Sequence, residues 1–391
     1  MLSLYYYGGY GAEKMEYDYL YEDNVGNRPQ RVIRLQRGGI VEIRLRENEF
    51  NSNGIVTLLN DLNYVIKTYR RGCKKIILRC KKFCPADKLT YILLESIIYD
   101  LKVNKNYEVQ LCVGQLLQSI STEGIVCSTI NYFPNLKEYQ RKYVFDQTMN
   151  HFRRLFTSQQ SQGSGVSSLL GELKVFFVTS GLQKDKTDQL AQTISELVDN
   201  VGEHTQSDCL IDIDITTSNY KKRGEPSGFY YAVNTVVLNL DEKKLGDNVR
   251  DKFENHYFGS SARYQTVEDA YTNHKKLFDD KYNEEDFFNL VAFQDEITGR
   301  KYEVEMGGTG LTELIKSLEA NAEEHGCYVL SGKQGLFFKP DLLEYNDEKW
   351  LGFNIEREFV NSRPDESAIF RSNAYIRGTA YNFTLVYREA E

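Results

Sequence analysis

Between Leu190 and Leu240 the apolar period of the chain changes once, from that of a helix to that of a strand, and no other stretch restricts the fold as much. At about 100° of rotation per residue, Leu190, Ile194, Leu197 and Val201 fall on one side, with Glu196, Asn200 and Glu203 on roughly the opposite one. Cys209 to Ile215 then alternates strictly, a polar loop from Ser218 to Ser227 holds Gly224 and Pro226, and Phe229 to Leu240 returns rich in aromatic and β-branched residues. The pattern predicts an amphipathic helix followed by a β-hairpin, with the apolar stripe toward a core and the carboxylates toward a cavity. A Glu and an Asn one turn apart on such a wall can polarise a water and complete the oxygen shell of a magnesium ion. Solvated polar residues opposite an apolar stripe have the same spacing.

A second segment adds to this one. Gly307, Gly308, Thr309 and Gly310 lead into the apolar-periodic run Leu311, Leu314, Ile315 and Leu318, a glycine loop feeding a helix. Such a loop lets backbone N–H groups approach an anion, and the helix N-terminus adds partial positive charge, so a polyphosphate can be held without a large basic patch.

The helix and the glycine loop, in this order, resemble the GHKL ATPase superfamily, which includes the ATPase subunit of type II topoisomerases, the Hsp90 chaperone, MutL and the histidine kinases. The resemblance spans roughly residues 165–391 and is nearest to the anti-sigma-factor serine kinase and histidine kinase branch. It implies a two-layer α/β sandwich, the Bergerat fold, binding ATP and Mg²⁺. Glu196 would be the general base and Asn200 the metal ligand. Gly307, Gly308, Thr309, Gly310, Leu311 and His204 would lie around the nucleotide. The adenine-reading Asp maps to Asp241, with Asp247 as the alternative. The usual Asp-x-Gly-x-Gly is absent, and Gly246 is the glycine that remains flexible. Gly378-Thr379 matches the closing Gly-Thr step, with Thr379 near adenine. Cys327 to Leu330 and Gly335 to Lys339 read as a strand pair. Residues at about 246–306 correspond to the ATP lid, which closes on nucleotide and passes the change onward, or to an insertion subdomain without gating.

Residues 28–114 alternate strand and helix patterns and resemble, distantly, the STAS domains that partner anti-sigma-type kinases. The family's phosphorylatable serine would fall near residues 84–87 or near Asn51, Ser52 and Asn53, so only Ser52 could accept phosphate. A docking role follows for this α/β unit. Residues 115–164 read as a helical connector ending in the linker from Gln159 to Gly165, and residues 1–27 as a tyrosine-rich, acidic arm. His151 lies in the connector without the acidic residue and proline that follow a sensor kinase's phosphoacceptor.

The whole is expected to be an α/β (α+β) protein of more than one domain, cytoplasmic, with a possible homo-oligomeric state. The expected function is that of a regulatory ATPase signalling to a protein partner through its N-terminal domain. A serine/threonine kinase acting on a partner, or an ATP-switched module without turnover, would use the same residues. A formal net charge of -8 argues against direct nucleic-acid binding, and the basic runs at Lys67 to Arg71 and Lys74 to Lys82 read as helix ends and strand edges. The seven cysteines are scattered and read as reduced core thiols; Cys80 and Cys84 lack the second pair that a zinc site needs. No apolar run approaches the roughly 18 residues of a membrane span, and no secretion signal opens the chain.

Overall fold

A computed structural model describes residues 17–24, 33–45, 49–126, 135–161, 164–204, 207–220, 228–297, 299, 310–323 and 326–388. The chain is a mixed α/β protein with two sheets. No helix among the described residues is long and apolar enough to cross a membrane.

After α1 (Asp18–Asn24), the N-terminal unit runs β1 (Ile40–Arg44), β2 (Glu49–Phe50), α2 (Ser52–Thr68), β3 (Lys75–Pro85), α3 (Lys88–Val103) and β4 (Glu108–Leu116). β1, β2 and β4 all pair parallel to β3. Each helix begins on a capping side chain, Asn51 accepting from the Asn53 N–H (3.1 Å) and Asp87 from the Thr90 N–H (2.7 Å).

The connector departs from its helical reading. Among the described residues only α4 (Leu136–Val144) is a substantial helix there; β5 (Phe145–Gln147) and β6 (His151–Phe156) form a hairpin that joins the C-terminal sheet. Phe152 and Phe156 point into one core while Arg153 is buried on the other face, so both faces of β6 are covered and the polar/apolar alternation that marks a surface strand is lost. The segment expected to be a linker, which carries the short α5 (Ser158–Ser161), therefore runs inside the C-terminal unit rather than ahead of it.

That unit continues with α6 (Gly165–Thr179), α7 (Lys184–His204), the hairpin of β7 (Cys209–Tyr220) and β8 (Gly228–Leu240), then α8 (Asp247–Glu254), α9 (Ala262–His274), α10 (Glu284–Val291) and α11 (Gly310–Asn321), and ends in β9 (Tyr328–Phe337) and β10 (Ile369–Arg388). Its six antiparallel strands are ordered β5-β6-β7-β8-β10-β9. The expected strand pair at 327–339 is instead one strand: β9 continues through Gly332, at φ 64°, and its register against β10 shifts there rather than reversing.

The period of two on β7 and β8 sorts residues between two cores. Ile211, Ile213, Ile215, Val233 and Val237 pack with α6, α7 and α11. Leu210, Val236, Leu238 and Leu240 pack with the N-terminal unit. The molecule is thus layered as parallel sheet, α2 and α3, antiparallel sheet, outer helices, with α3 buried along nearly its whole length.

The seam between the two units is polar as well as apolar. The Leu89 N–H donates to Asn382 Oδ1 (3.0 Å) and the Tyr328 hydroxyl to Asp87 Oδ2 (2.8 Å). Lys88, fully buried, reaches Asp212 Oδ1 (2.7 Å) and Asp214 on β7, and Arg153 on β6 reaches Glu95 on α3. The N-terminal unit is therefore an integral layer and not a separately tethered docking domain. Lys88→Met removes the cation between two buried carboxylates, and we expect it to cost about 3–5 kcal/mol. Urea unfolding of the variant measures this, and a loss under about 1 kcal/mol would mean that the pairs contribute no more than surface ones.

Candidate functional site

α7 buries Leu190, Ile194, Leu197 and Val198 fully, as its apolar stripe requires. Glu196 is half-buried on the flank toward α11. Its Oε1 accepts from Gln192 Nε2 (3.0 Å), while Oε2 is buried without a hydrogen-bond partner among the described residues. Burial pushes the Glu196 carboxyl above its usual range; the Gln192 bond offsets part of this, and Glu313 on α11 and Asp199 add to it. A carboxylate with a raised pKa and one unused oxygen is suited to accept a proton from a bound group. Asn200 follows one turn later and is half-buried.

The remaining expected residues distribute unevenly. Leu311 packs at the edge of the core at the start of α11. Gly310 opens that helix, whereas Gly307, Gly308 and Thr309, like the side chains of Glu203 and His204, lie outside the described residues. Thr379 is buried on β10, opposite Asn239 on β8 and Ser331 on β9. Gly378 has φ 105°, and a Cβ there would lie 2.4 Å from the Asn239 carbonyl, so the Gly-Thr step is required by the sheet itself. Asp241 closes β8; its Oδ1 accepts from the Lys243 N–H (2.9 Å), and its own N–H donates to the Arg377 carbonyl (3.2 Å). Asp247 Oδ2 accepts from the Lys244 N–H (2.8 Å).

Asn239 was not anticipated. It is buried, and its Nδ2 donates to Ser207 Oγ (2.6 Å) and to the Asp208 carbonyl (3.1 Å). Only the β8–β10 register identifies it as the polar partner of Thr379. Gly246 also differs from its expected role. A Cβ there would sit 2.8 Å from the Phe288 carbonyl carbon, and its N–H donates to Asn289 Oδ1 (3.1 Å). Its smallness lets α8 approach α10, and its φ of −83° needs no special freedom.

The segment expected as a lid is, over 247–297, a packed subdomain. Phe253, Tyr271, Phe287 and Phe288 interlock. His274 accepts from the Tyr282 hydroxyl at Nδ1 (2.5 Å) and donates from Nε2 to the Phe359 carbonyl (2.6 Å), and burial holds its pKa below the usual value. This ties the helices to residues 338–368, whose Trp350 stacks on Phe359.

A cavity of about 320 Å³ lies elsewhere, between α3, α4 and the edge of the antiparallel sheet, lined by Tyr91, Tyr139, Tyr143, His151, Asp212 and Asp214 among others. His151, Asp212 and Asp214 bring three potential metal-ligand atoms within 4.8 Å of one another. Each carboxylate oxygen already has a cationic or imidazole neighbour: Lys88 on Asp212 Oδ1 (2.7 Å) and on Asp214 Oδ2, Arg153 Nε on Asp212 Oδ2 (2.5 Å), and His151 Nδ1 on Asp214 Oδ1 (2.8 Å). With Glu95 against Arg153, three basic groups face three carboxylates, so an added divalent ion would be surplus charge in a buried site. The cluster is a charge-balanced clasp between the layers.

Comparison with protein families, curated proteins and solved structures finds no match to this chain.

Burial alone would lower the pKa of His151, but Asp212 and Asp214 outweigh it and hold the imidazole above its ordinary value. A raised folded-state pKa stabilises below the unfolded value of about 6.5 and loses that contribution as pH rises through the folded one. The urea midpoint of the wild type should therefore fall between mildly acidic and mildly alkaline pH by more than that of His151→Gln. Equal pH dependence in the two proteins would remove His151 from the clasp's energetics.

Proposed function

We propose that the chain is a Mg-ATP-binding regulatory ATPase of the GHKL type, with the nucleotide between α7, the start of α11 and the β8–β10 edge. The observation that carries this reading is Glu196 Oε2, a buried carboxylate oxygen without a hydrogen-bond partner among the described residues, on a helix laid across an antiparallel sheet and facing α11. Buried polar atoms are nearly always satisfied, so one left over points to an absent group. The order of elements supports it too: amphipathic helix, hairpin, helical insertion, α11 preceded in sequence by Gly307, Gly308 and Thr309, and a final strand with Thr379 opposite β8.

When bound, Mg-ATP supplies a γ-phosphoryl group polarised by the metal. Glu196 would take a proton from the attacking water, and Asn200 would give its amide oxygen to the metal. The N–H groups at the start of α11 would face the phosphates, and Thr379 would lie on the adenine side. Hydrolysis rather than transfer to the chain's own serine is favoured by position. Ser52 opens α2, which packs against β10 from the sheet face opposite α7. β7 offers the route outward: its Ile211, Ile213 and Ile215 support the outer helices while its Asp212 and Asp214 hold Lys88.

Glu196→Gln should reduce phosphate release from ATP by roughly 10²–10⁴-fold while leaving ATP affinity within a few-fold. Asn200→Ala should weaken Mg-ATP binding. Because the base works deprotonated and its pKa is raised, wild-type turnover should climb as pH passes through a value above the ordinary glutamate range. Turnover undiminished in Glu196→Gln would exclude its role as base. Absence of any ATP affinity by calorimetry would exclude the site. A radiolabelled protein band in place of free phosphate would favour a kinase.

A further inference from the structure

We infer that the open face of the parallel sheet is a binding surface for the phosphate backbone of double-stranded nucleic acid, contacted without regard to sequence. Parallel sheets are ordinarily covered on both faces. Here α2 and α3 cover one face, and the other carries the exposed Arg44, Arg79 and Lys81. Arg44 and Arg79 are register partners on adjacent parallel strands. Like charges side by side in a sheet are unfavourable. Both lean on the same oxygen, Glu42 Oε1, at 3.4 and 3.3 Å, which cannot neutralise two guanidinium groups.

At the N-terminal ends of β1 and β3 the basic surface continues. The turn around Arg37 is joined to the segment before β3 by the Lys74 N–H donating to the Gly39 carbonyl (2.8 Å), and Arg37, Arg70, Arg71 and Lys74 are all exposed. Across described residues 33–82 the only exposed carboxylate is Glu49; on the neighbouring strand Glu108 pairs with Lys75 (2.6 Å). A chain with a formal net charge of -8 thus carries, on this face and the turns at its end, a local run of exposed cations with few exposed carboxylates among them. The average that argued against nucleic acid conceals this segregation.

The same surface disfavours other occupants. Protein interfaces are anchored by buried aromatic or aliphatic side chains, and Leu35 is the sole exposed large hydrophobic residue among described residues 33–116. Single strands are held by stacking on aromatic rings, and no aromatic side chain in that range is exposed. Alternate residues on a strand lie roughly 6.6 Å apart and strands about 4.8 Å apart. Arg44, Arg79 and Lys81 accordingly hold a fixed spacing on the sheet, with the turn cations beyond its end, an arrangement suited to a stiff polyanion whose bases it cannot read.

The test is fluorescence anisotropy of the full chain with labelled duplexes of unrelated sequence, a labelled single strand and labelled poly-glutamate. Duplexes should bind with equal affinity whatever their sequence. Affinity should fall by roughly 100-fold or more between about 50 and 200 mM salt. The Arg44→Ala/Arg79→Ala/Lys81→Ala variant should lose at least about tenfold at low salt and show a shallower salt slope. Lys276→Glu, an exposed basic site outside this face, should bind as the wild type does, and both variants should keep the wild-type melting temperature. The inference is overturned if duplexes do not bind at low salt, if the triple variant binds them undiminished, or if the single strand or poly-glutamate binds more tightly than the duplex.

Discussion

The buried contact of Lys88 with Asp212 and Asp214 is what makes two sheets into one molecule. A lysine with its ammonium group out of water is tolerable only between carboxylates, and carboxylates on an interior strand only beside cations. Each side therefore depends on the other. β7 cannot be a core strand of the C-terminal sheet without α3 against it, and α3 cannot bury its first turn without β7. Arg153 with Glu95 and His151 with Asp214 extend the same dependence to the edge strand β6. Breaking one pair leaves its partner buried and charged, so the contact opposes sliding of the layers more strongly than apolar area would.

That rigidity bears on how a nucleotide signal could travel. A lid that closes as a loose loop needs few contacts to lose, whereas α8, α9 and α10 share an aromatic core with residues 338–368 and are tied to it through His274. Movement of this subdomain would be that of a body rather than a folding of its interior. Gly246, wedged against Phe288, keeps α8 and α10 together during any such motion. If ATP binds beside Glu196 as proposed, its effect would reach the N-terminal layer through the sheet, since β7 and β8 hold both cores.

Much of the C-terminal fold was legible because its local patterns are strong. The stripe on α7 and the alternation of Cys209 to Ile215 each became the expected element, and Gly378-Thr379, expected to lead into the final strand, lies within it. β6 was hidden because Arg153 is buried: a strand covered on both faces by one apolar and one ionic layer has no polar side to show. The single strand β9 was read as a hairpin because Gly332 and Gly335 signal a turn, whereas the glycines accommodate a register shift and the Phe370 ring. Asn239 was missed because its pairing with Thr379 joins residues far apart in sequence, and a register is not written locally.

The layering itself was the least legible feature, and for a general reason. Docking of the N-terminal unit depends on α3 being apolar nearly all round, yet a helix with buried Lys88, Glu95 and Asp100 looks amphipathic when each charge is counted as exposed. The same accounting made the chain look uniformly acidic. Charges that are paired inside, such as Lys88 and Arg153, leave the surface unchanged, whereas Arg44, Arg70, Arg71 and Arg79 shape it, and composition weights both kinds alike. A net charge therefore constrains partners only after the buried pairs have been subtracted and the remainder assigned to faces. Here that subtraction leaves a basic sheet face, on the far side of α2 and α3 from α7. The two surfaces are separated by the layers that Lys88 clamps together.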